Sequence, residues 1–503
     1  MRSWWILRIV SIVWPTALLL FGPPRLSDPL AWPIQSGTNF EVGTRKQLAL
    51  DPAFLERSEN ITLELHHPVK FDRNPVLTPT EPWEGEHITY GTVIFDEQEQ
   101  IFKMWYQTFS DSAYAAGDYK RTSYICYARS RDGKTWEKPR LGLIAFQGSR
   151  ENNIVLEGYG HYILDGCAVI KDVSDPDPRR RYKLFFYDTV APGREGICVA
   201  FSPDGIRWEK HAGNPLFTGH YTVYAFRDDI RERYVVLHKT YLLPRGVESN
   251  PTVRMGMGVR VVVLRESADL RTWSPPIIVL RPDEEDPRDV DFYGMAAFPY
   301  EGMFIGLLNI FHNNDRIMEI ELTYSRDHIF WHRTRRTFLP TGPRGAFDSY
   351  MVVARPPLVV GDEIWIYYSA RNAPHYLPER KAEHRGTVGL AKLRLDGFAS
   401  LRAGEAEGVL VTKPFVLRGE HLLLNARTDP GGYIVVEVLD RTSRPIEGFT
   451  RSETLPFQGD ALKQEVRWSA GRTLRDLRGQ VVRFRFWLRR AEVYAFVVAP
   501  ARP

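Results

Sequence analysis

The sequence predicts an all-β protein, a five-bladed β-propeller followed by a C-terminal β-sandwich. Three observations carry that prediction. One seven-residue phrase occurs four times, as 130-SRDGKTW-136, 202-SPDGIRW-208, 267-SADLRTW-273 and 325-SRDHIFW-331. Each copy closes a set of three short runs rich in β-branched and aromatic residues, which is how strands read. After Leu401 the phrase stops while strand-like alternation continues between Gly, Asn and Asp turns, so a second all-β domain begins there.

At the N-terminus, MRSWWILRIVSIVWPTALLLFGPP has a basic start and an apolar run from Ile9 to Phe21. Residues 1–30 read as an export signal peptide or a membrane anchor, and the protein as secreted or periplasmic. Arg8 adjoins the run and no small-x-small cleavage site follows it, which leaves a mis-started N-terminus as the alternative. Beyond it no segment reaches the roughly 18 apolar residues of a spanning helix, so membrane contact is expected only through this anchor. The segment 53-AFLERSEN-60 is the best short helix in a chain that is otherwise strand.

The propeller is expected over residues 55–400. Its first blade reads 88-ITYGTVIFD-96, 101-IFKMWYQTF-109 and 121-RTSYICYAR-129; the second includes 163-ILDGCAVIKD-172, the third 234-YVVLHKTYLL-243 and the fourth 291-DFYGMAAFPY-300. A fifth set, from 350-YMVVARPPLVV-360 onward, ends in a degenerate phrase in which Phe398 takes the place of Trp. About four strands per repeat at such a period is the mark of a propeller blade. Within the phrase, Ser and Asp are suited to hydrogen-bond turn backbone, Gly to supply positive φ and Trp to wedge between sheets. Asp132, Asp204, Asp269 and Asp327 are therefore structural. Residues 401–503 complete the chain as a sandwich, with Val482, Phe484 and Phe486 on one face of a strand.

Composition narrows the function. A net charge of +4 over 503 residues, with acids and bases interspersed, argues against nucleic acid as a partner. Cys126, Cys167 and Cys198 lack C-x-x-C spacing and read as buried free thiols. The acidic turn 283-DEEDPRD-289 lacks EF-hand spacing, so no metal and no cofactor is expected.

A five-blade phrase with S-x-D-G-x-x-W turns, an opening of the type 75-NPVLTPTEPWE-85, the run Arg180 to Lys183 and a following sandwich resemble glycoside hydrolase family 32, the architecture of invertases and levanases, and more distantly the arabinanases of family 43. The resemblance spans about residue 65 to 503 and implies sugar binding or cleavage. The W-M-N-D-P-N-G, R-D-P and E-C motifs of the invertase-like enzymes do not occur in this sequence, so the resemblance assigns no residue.

Propeller geometry supplies candidates instead, because the first positions of each inner strand converge on the channel mouth. Acids stand there in four blades: Glu84, Asp165, Asp289 with Asp291, and Asp348, while blade three offers His220 and Tyr221. Glycoside cleavage uses two carboxyl groups, one protonated and one ionised. Asp165 and Asp291 are the favoured catalytic pair, with Glu84 and Glu321 as further catalytic candidates. Trp83, Tyr90, His161, Asp289, Tyr293, Asp348 and His375 are expected to contact substrate, the aromatic rings by stacking on sugar faces. The expected function is a glycoside hydrolase acting on an oligo- or polysaccharide; the alternatives are a noncatalytic carbohydrate-binding propeller and a protein-interaction scaffold.

Overall fold

Each recurrent phrase folds into the same turn. Ser130 Oγ accepts from the backbone N–H of Gly133 at 2.8 Å, and Asp132 Oδ1 accepts from Lys134 and Thr135 N–H, each at 2.8 Å. Ser202 with Asp204 and Ser267 with Asp269 repeat the arrangement, and in the fourth copy Asp327 Oδ1 accepts from Ile329 and Phe330 N–H while Ser325 Oγ accepts from Asp327 N–H at 3.2 Å. The fourth position has positive φ every time, 67° at Gly133 and 77° at Gly205 but also 64° at Leu270 and 57° at His328. The turn also docks each blade on its predecessor. Trp105 donates its indole N–H to Gly205 O at 2.5 Å, Tyr367 its hydroxyl to Gly133 O at 2.6 Å, and Trp273 packs edge-on to Phe185.

The structure, a computed structural model, describes residues 42–242, 258–375 and 383–500. The apolar N-terminal run lies outside the described residues. Among those described, no helix is long and apolar enough to cross a membrane.

The propeller strands form five successive antiparallel groups. The first comprises His87–Asp96, Ile101–Phe109, Tyr124–Ser130 and Ile154–Glu157, and the second runs from Asp165–Lys171 to Glu209–Lys210. The third runs from Tyr224–Asp228 to Ile277–Leu280 and the fourth from Val290–Tyr300 to His332–Leu339. In the fifth, Met351–Ala354, Glu363–Arg371 and Gly386–Arg394 are completed by Val69–Lys70, an early segment that pairs with Ala391 and Lys392. The ring is thus closed by hydrogen bonds between the start and end of the propeller sequence, leaving that blade no bare edge there. Across the channel, Tyr224 donates to Ala354 O at 2.9 Å and Asn309 amide nitrogen to the Tyr224 hydroxyl at 3.0 Å, tying blades three, four and five together.

The C-terminal strands Ala399–Ala403, Gly408–Thr412, His421–Leu439, Asp460–Glu465 and Val481–Ala499 join one sheet, wrapped around a core that includes Leu422, Val436, Phe484, Phe486 and Trp468. That sheet also takes Gln47–Leu48, Leu55–Glu59 and Thr62–Leu65. The expected helix at residues 53–60 is therefore corrected. Only Pro52–Phe54 makes a 3-10 turn, capped by the Asp51 side chain, and the rest is strand pairing with Gly408–Thr412. Its Phe54 and Leu55 serve the C-terminal core, where tertiary pairing outweighs weak helix propensity. Two short helices, Asp111–Ala115 and Tyr119–Thr122, occur instead between the second and third strands of blade one. Cys126, Cys167 and Cys198 are free and buried, and burial pushes each thiol up.

Candidate active site

The inner strands of blades one, two and four share a fault in their pairing. Register shifts at Ile88/Gly91, opposite Asp165 at Phe185/Tyr187, and at Phe292/Gly294 each insert an extra residue, a β-bulge. The sequence at the three sites reads Tyr90-Gly91, Asp165-Gly166 and Tyr293-Gly294. A bulge re-aims one side chain out of the regular alternation. Here Tyr90, Asp165 and Tyr293 turn into one cavity of about 670 Å³ on which all five blades converge. Gly166 has φ 86°, a conformation costly for any residue with a Cβ, and a Cβ there would stand 3.0 Å from Val223 Cβ.

Asp165 is held from two neighbouring blades. Thr222 N–H donates to its Oδ1 at 3.0 Å, and Gln107 fixes the backbone on either side of it, donating to Leu164 O at 3.1 Å and accepting from Gly166 N–H at 2.7 Å. Thr222 does this at φ 64°, a rare and strained conformation for a β-branched residue, held by a 3.2 Å hydroxyl contact with Tyr90. The carboxyl is half-buried, and burial raises its pKa above the ordinary carboxylate value. It is thereby biased towards the protonated form.

Beside it lies Lys239, 2% exposed, on the second strand of blade three. Its ammonium stands 4.1 Å from the Tyr293 ring centroid and 5.2 Å from that of Tyr221. Burial, helped by Arg260, lowers its pKa from 10.5 to about 7 against the pull of Asp165 and Asp291. On another part of the wall His87 Nε2 is 2.9 Å from Asp111 Oδ2 and 2.9 Å from Arg371 Nη2. Burial lowers the His87 pKa, so the imidazole is neutral and Arg371 carries the positive charge near Asp111, 3.8 Å away. His375 meets the Tyr293 hydroxyl at 2.7 Å and is held neutral by burial and by the surrounding cations Arg371, Arg260, Lys239 and Arg316. Tyr114 and Tyr162, 3.1 Å apart at their hydroxyls, with Tyr241 and Arg316 add to the lining.

Of the residues expected from sequence, Asp165, Tyr90, Tyr293 and His375 meet in this cavity. Asp291 does not. It is fully buried away from the lining, 2.5 Å from Arg260 Nη1, an ion pair that satisfies a charge in low dielectric. Glu84 is also off the cavity. Its carboxylate accepts from Thr80 and Glu81 N–H, from the Tyr106 hydroxyl and from Lys138, knitting the start of blade one. Glu321 is gripped by Arg333 at 2.9 and 2.7 Å. Asp348 binds Lys70 at 2.7 Å and so fastens the closing strand. Trp83 donates to Asn153 at 2.7 Å under Arg140, His161 is exposed outside the lining, and Asp289 accepts from Asn314 N–H at 3.2 Å. The acidic turn at 283–286 is paired with Arg333 and Arg335, and no group of side chains suited to a metal occurs among the described residues.

His87, Gln107, Asp111, Lys239, Arg316 and Arg371 were missed. Five of the six lie on second strands, on a helix or in a loop, outside the inner-strand rule. The one signal was Lys239 itself, a cation set in the apolar run 234-YVVLHKTYLL-243.

No family model and no curated protein matches the chain. Among solved structures, the chain is similar to a β-1,2-mannobiose phosphorylase from Listeria innocua, with 16% identity over 68% of this chain and 99% of that one, at a TM-score of 0.44. A thermostable family-43 glycoside hydrolase shows 14% identity over 63% of this chain and 93% of that one, at 0.45. An N-acetylgalactosamine deacetylase from F. plautii, in complex with blood group B trisaccharide, shows 14% identity over 67% and 96%, at 0.43.

Proposed function

We propose that the protein is a carbohydrate-active enzyme, a glycoside hydrolase that takes an oligosaccharide into the central cavity and cleaves a glycosidic bond with Asp165 as proton donor. The observation that carries this reading is a carboxyl group on the cavity wall whose pKa burial has raised, held by Thr222 N–H and flanked by backbone that Gln107 fixes. A raised carboxyl is what a general acid needs near neutral pH. The tyrosines around it offer flat apolar faces edged with hydroxyls, matched to a sugar ring.

In the proposed cleavage, Asp165 gives its proton to the glycosidic oxygen as the bond to the anomeric carbon breaks. The developing positive charge on the sugar then meets an ionised carboxylate, and water completes the exchange. Asp111, 3.8 Å from Arg371 Nη2, is the lining carboxyl group proposed for that second role. Asp291 is replaced in it because Arg260 holds its carboxylate away from the lining. Export through the N-terminal run would bring such an enzyme to extracellular polysaccharide, with residues 401–503 as an accessory domain.

A sugar-binding propeller without turnover is the second reading, favoured by the engagement of Asp111 with His87 and Arg371. Release of reducing ends from a panel of oligosaccharides separates the two. Asp165→Asn is expected to lower turnover about 10²- to 10⁴-fold while calorimetry shows sugar binding retained. Full turnover in Asp165→Asn would remove Asp165 from catalysis; binding with no turnover by the wild type would leave the binding propeller.

A further inference from the structure

A buried ammonium with no counter-ion in contact is costly, and such a group is conserved by folding only if something else offsets it. Lys239 is such a group. It is 2% exposed, lines the cavity, and among the described residues no hydrogen bond or ion pair reaches its Nζ. It lies against the rings of Tyr293 and Tyr221, which stabilise a cation without neutralising it. Asp165 and Asp291 act on it only from beyond ion-pair distance, and each is already held, Asp165 by Thr222 N–H and Asp291 by Arg260.

The surroundings have the same sign. Arg316 and Arg371 are on the lining, Arg260 is packed behind Tyr293 with its guanidinium 5.1 Å from the ring, and both lining histidines are neutral partly because these cations surround them. Among the described residues the carboxyl groups on the wall are Asp111 and Asp165, with Asp291 paired to Arg260 behind it, and the Asp165 carboxyl is biased towards its uncharged form.

We propose that the sugar accepted by this cavity is anionic, and that an oxyanion carried on its ring, a carboxylate or a sulfate, seats against Lys239 between Tyr221 and Tyr293. This rests on the reading of the cavity as a sugar site and names its substrate class. The ring oxyanion supplies the counter-ion that Lys239 lacks, in a site dry enough for the charge-assisted contact to count. Arg316 and Arg371 line the same cavity.

The test uses the full chain and calorimetric titration with three sets of soluble oligosaccharides from plant and algal walls: neutral, uronate-bearing and sulfated, with methyl esters of the uronates as uncharged controls. A uronate-bearing or a sulfated set is expected to bind at least tenfold more tightly than its uncharged counterpart, and which of the two does so identifies the oxyanion. Lys239→Met should erase that preference and Lys239→Arg keep most of it, with circular dichroism confirming that both fold. Should Lys239→Met not fold, Lys239→Gln, which keeps most of the side-chain length without the charge, reads the same contact. Equal binding of charged and uncharged sugars, or a preference that survives Lys239→Met, would overturn the inference while leaving the sugar site standing. Binding of no sugar from any set would overturn both.

Discussion

Asp165 and Lys239 face one cavity with opposite electrostatic problems. Burial disfavours the charged form of each, raising the acid and lowering the base, and each moderates the shift of the other. In the proposed cleavage Asp165 gives up a proton, so turnover should fall as pH rises through its raised pKa. Removing the Lys239 cation lifts that pKa further, so Lys239→Met is expected to move the alkaline limb of the kcat profile to higher pH; an unmoved limb would show that another group sets it. Stability gives an independent reading. The unfolded chain keeps the Lys239 proton up to about pH 10.5 and the folded chain only to about 7. The buried amine therefore costs stability in full below about pH 7, and the cost is relieved between about 7 and 10.5. Lys239→Met should raise the melting temperature at about pH 6 and much less at about pH 10. Equal gains at both would contradict the shift.

At the scale of the element, two devices recur, the seven-residue turn and the inner-strand bulge. The turn was fully legible, because Ser, Asp, positive φ and Trp are local requirements written in consecutive letters. Gly205 shows how tight it is: a Cβ would approach Trp105 Cζ2 to 2.6 Å at φ 77°. Gly205→Ala should cost about 2–4 kcal/mol of unfolding free energy in a urea titration, combining overpacking with a strained backbone. A loss below about 1 kcal/mol would mean the blades yield easily there. The bulge was on the page as Tyr90-Gly91, Asp165-Gly166 and Tyr293-Gly294, yet period-two alternation passes over it. That is why Asp291 was misplaced: the extra residue at Tyr293 breaks the parity, sending the tyrosine to the cavity and Asp291 to Arg260. Gly166→Ala should displace Asp165 and lower kcat more than it changes sugar affinity, and an unchanged kcat would show that the bulge is not needed to aim the acid.

For the whole molecule, the closed ring explains both what the sequence showed and what it hid. Five sets of strand-like runs and the change of pattern after Leu401 announced the architecture. The closure did not, since Val69–Lys70 is two residues whose partners lie more than 300 positions away. The cavity was half visible for the same reason. Asp165, Tyr90 and Tyr293 stand at inner-strand starts, but Lys239, Asp111 and Arg371 reach it from second strands and a helix that only the closed ring brings together. Deleting residues up to Asp72 removes the closing strand and the Lys70–Asp348 ion pair, along with three strands of the C-terminal sheet. That truncation is expected to abolish cooperative thermal unfolding, whereas a retained sharp transition would show that the ring holds without its seam. The central claim, that this convergence point cleaves sugar with Asp165, is tested most directly by a crystal structure of Asp165→Asn soaked with the tightest-binding oligosaccharide. The account predicts a glycosidic oxygen within about 3 Å of residue 165. A sugar bound with no glycosidic bond near that residue, or bound outside the cavity, would contradict it.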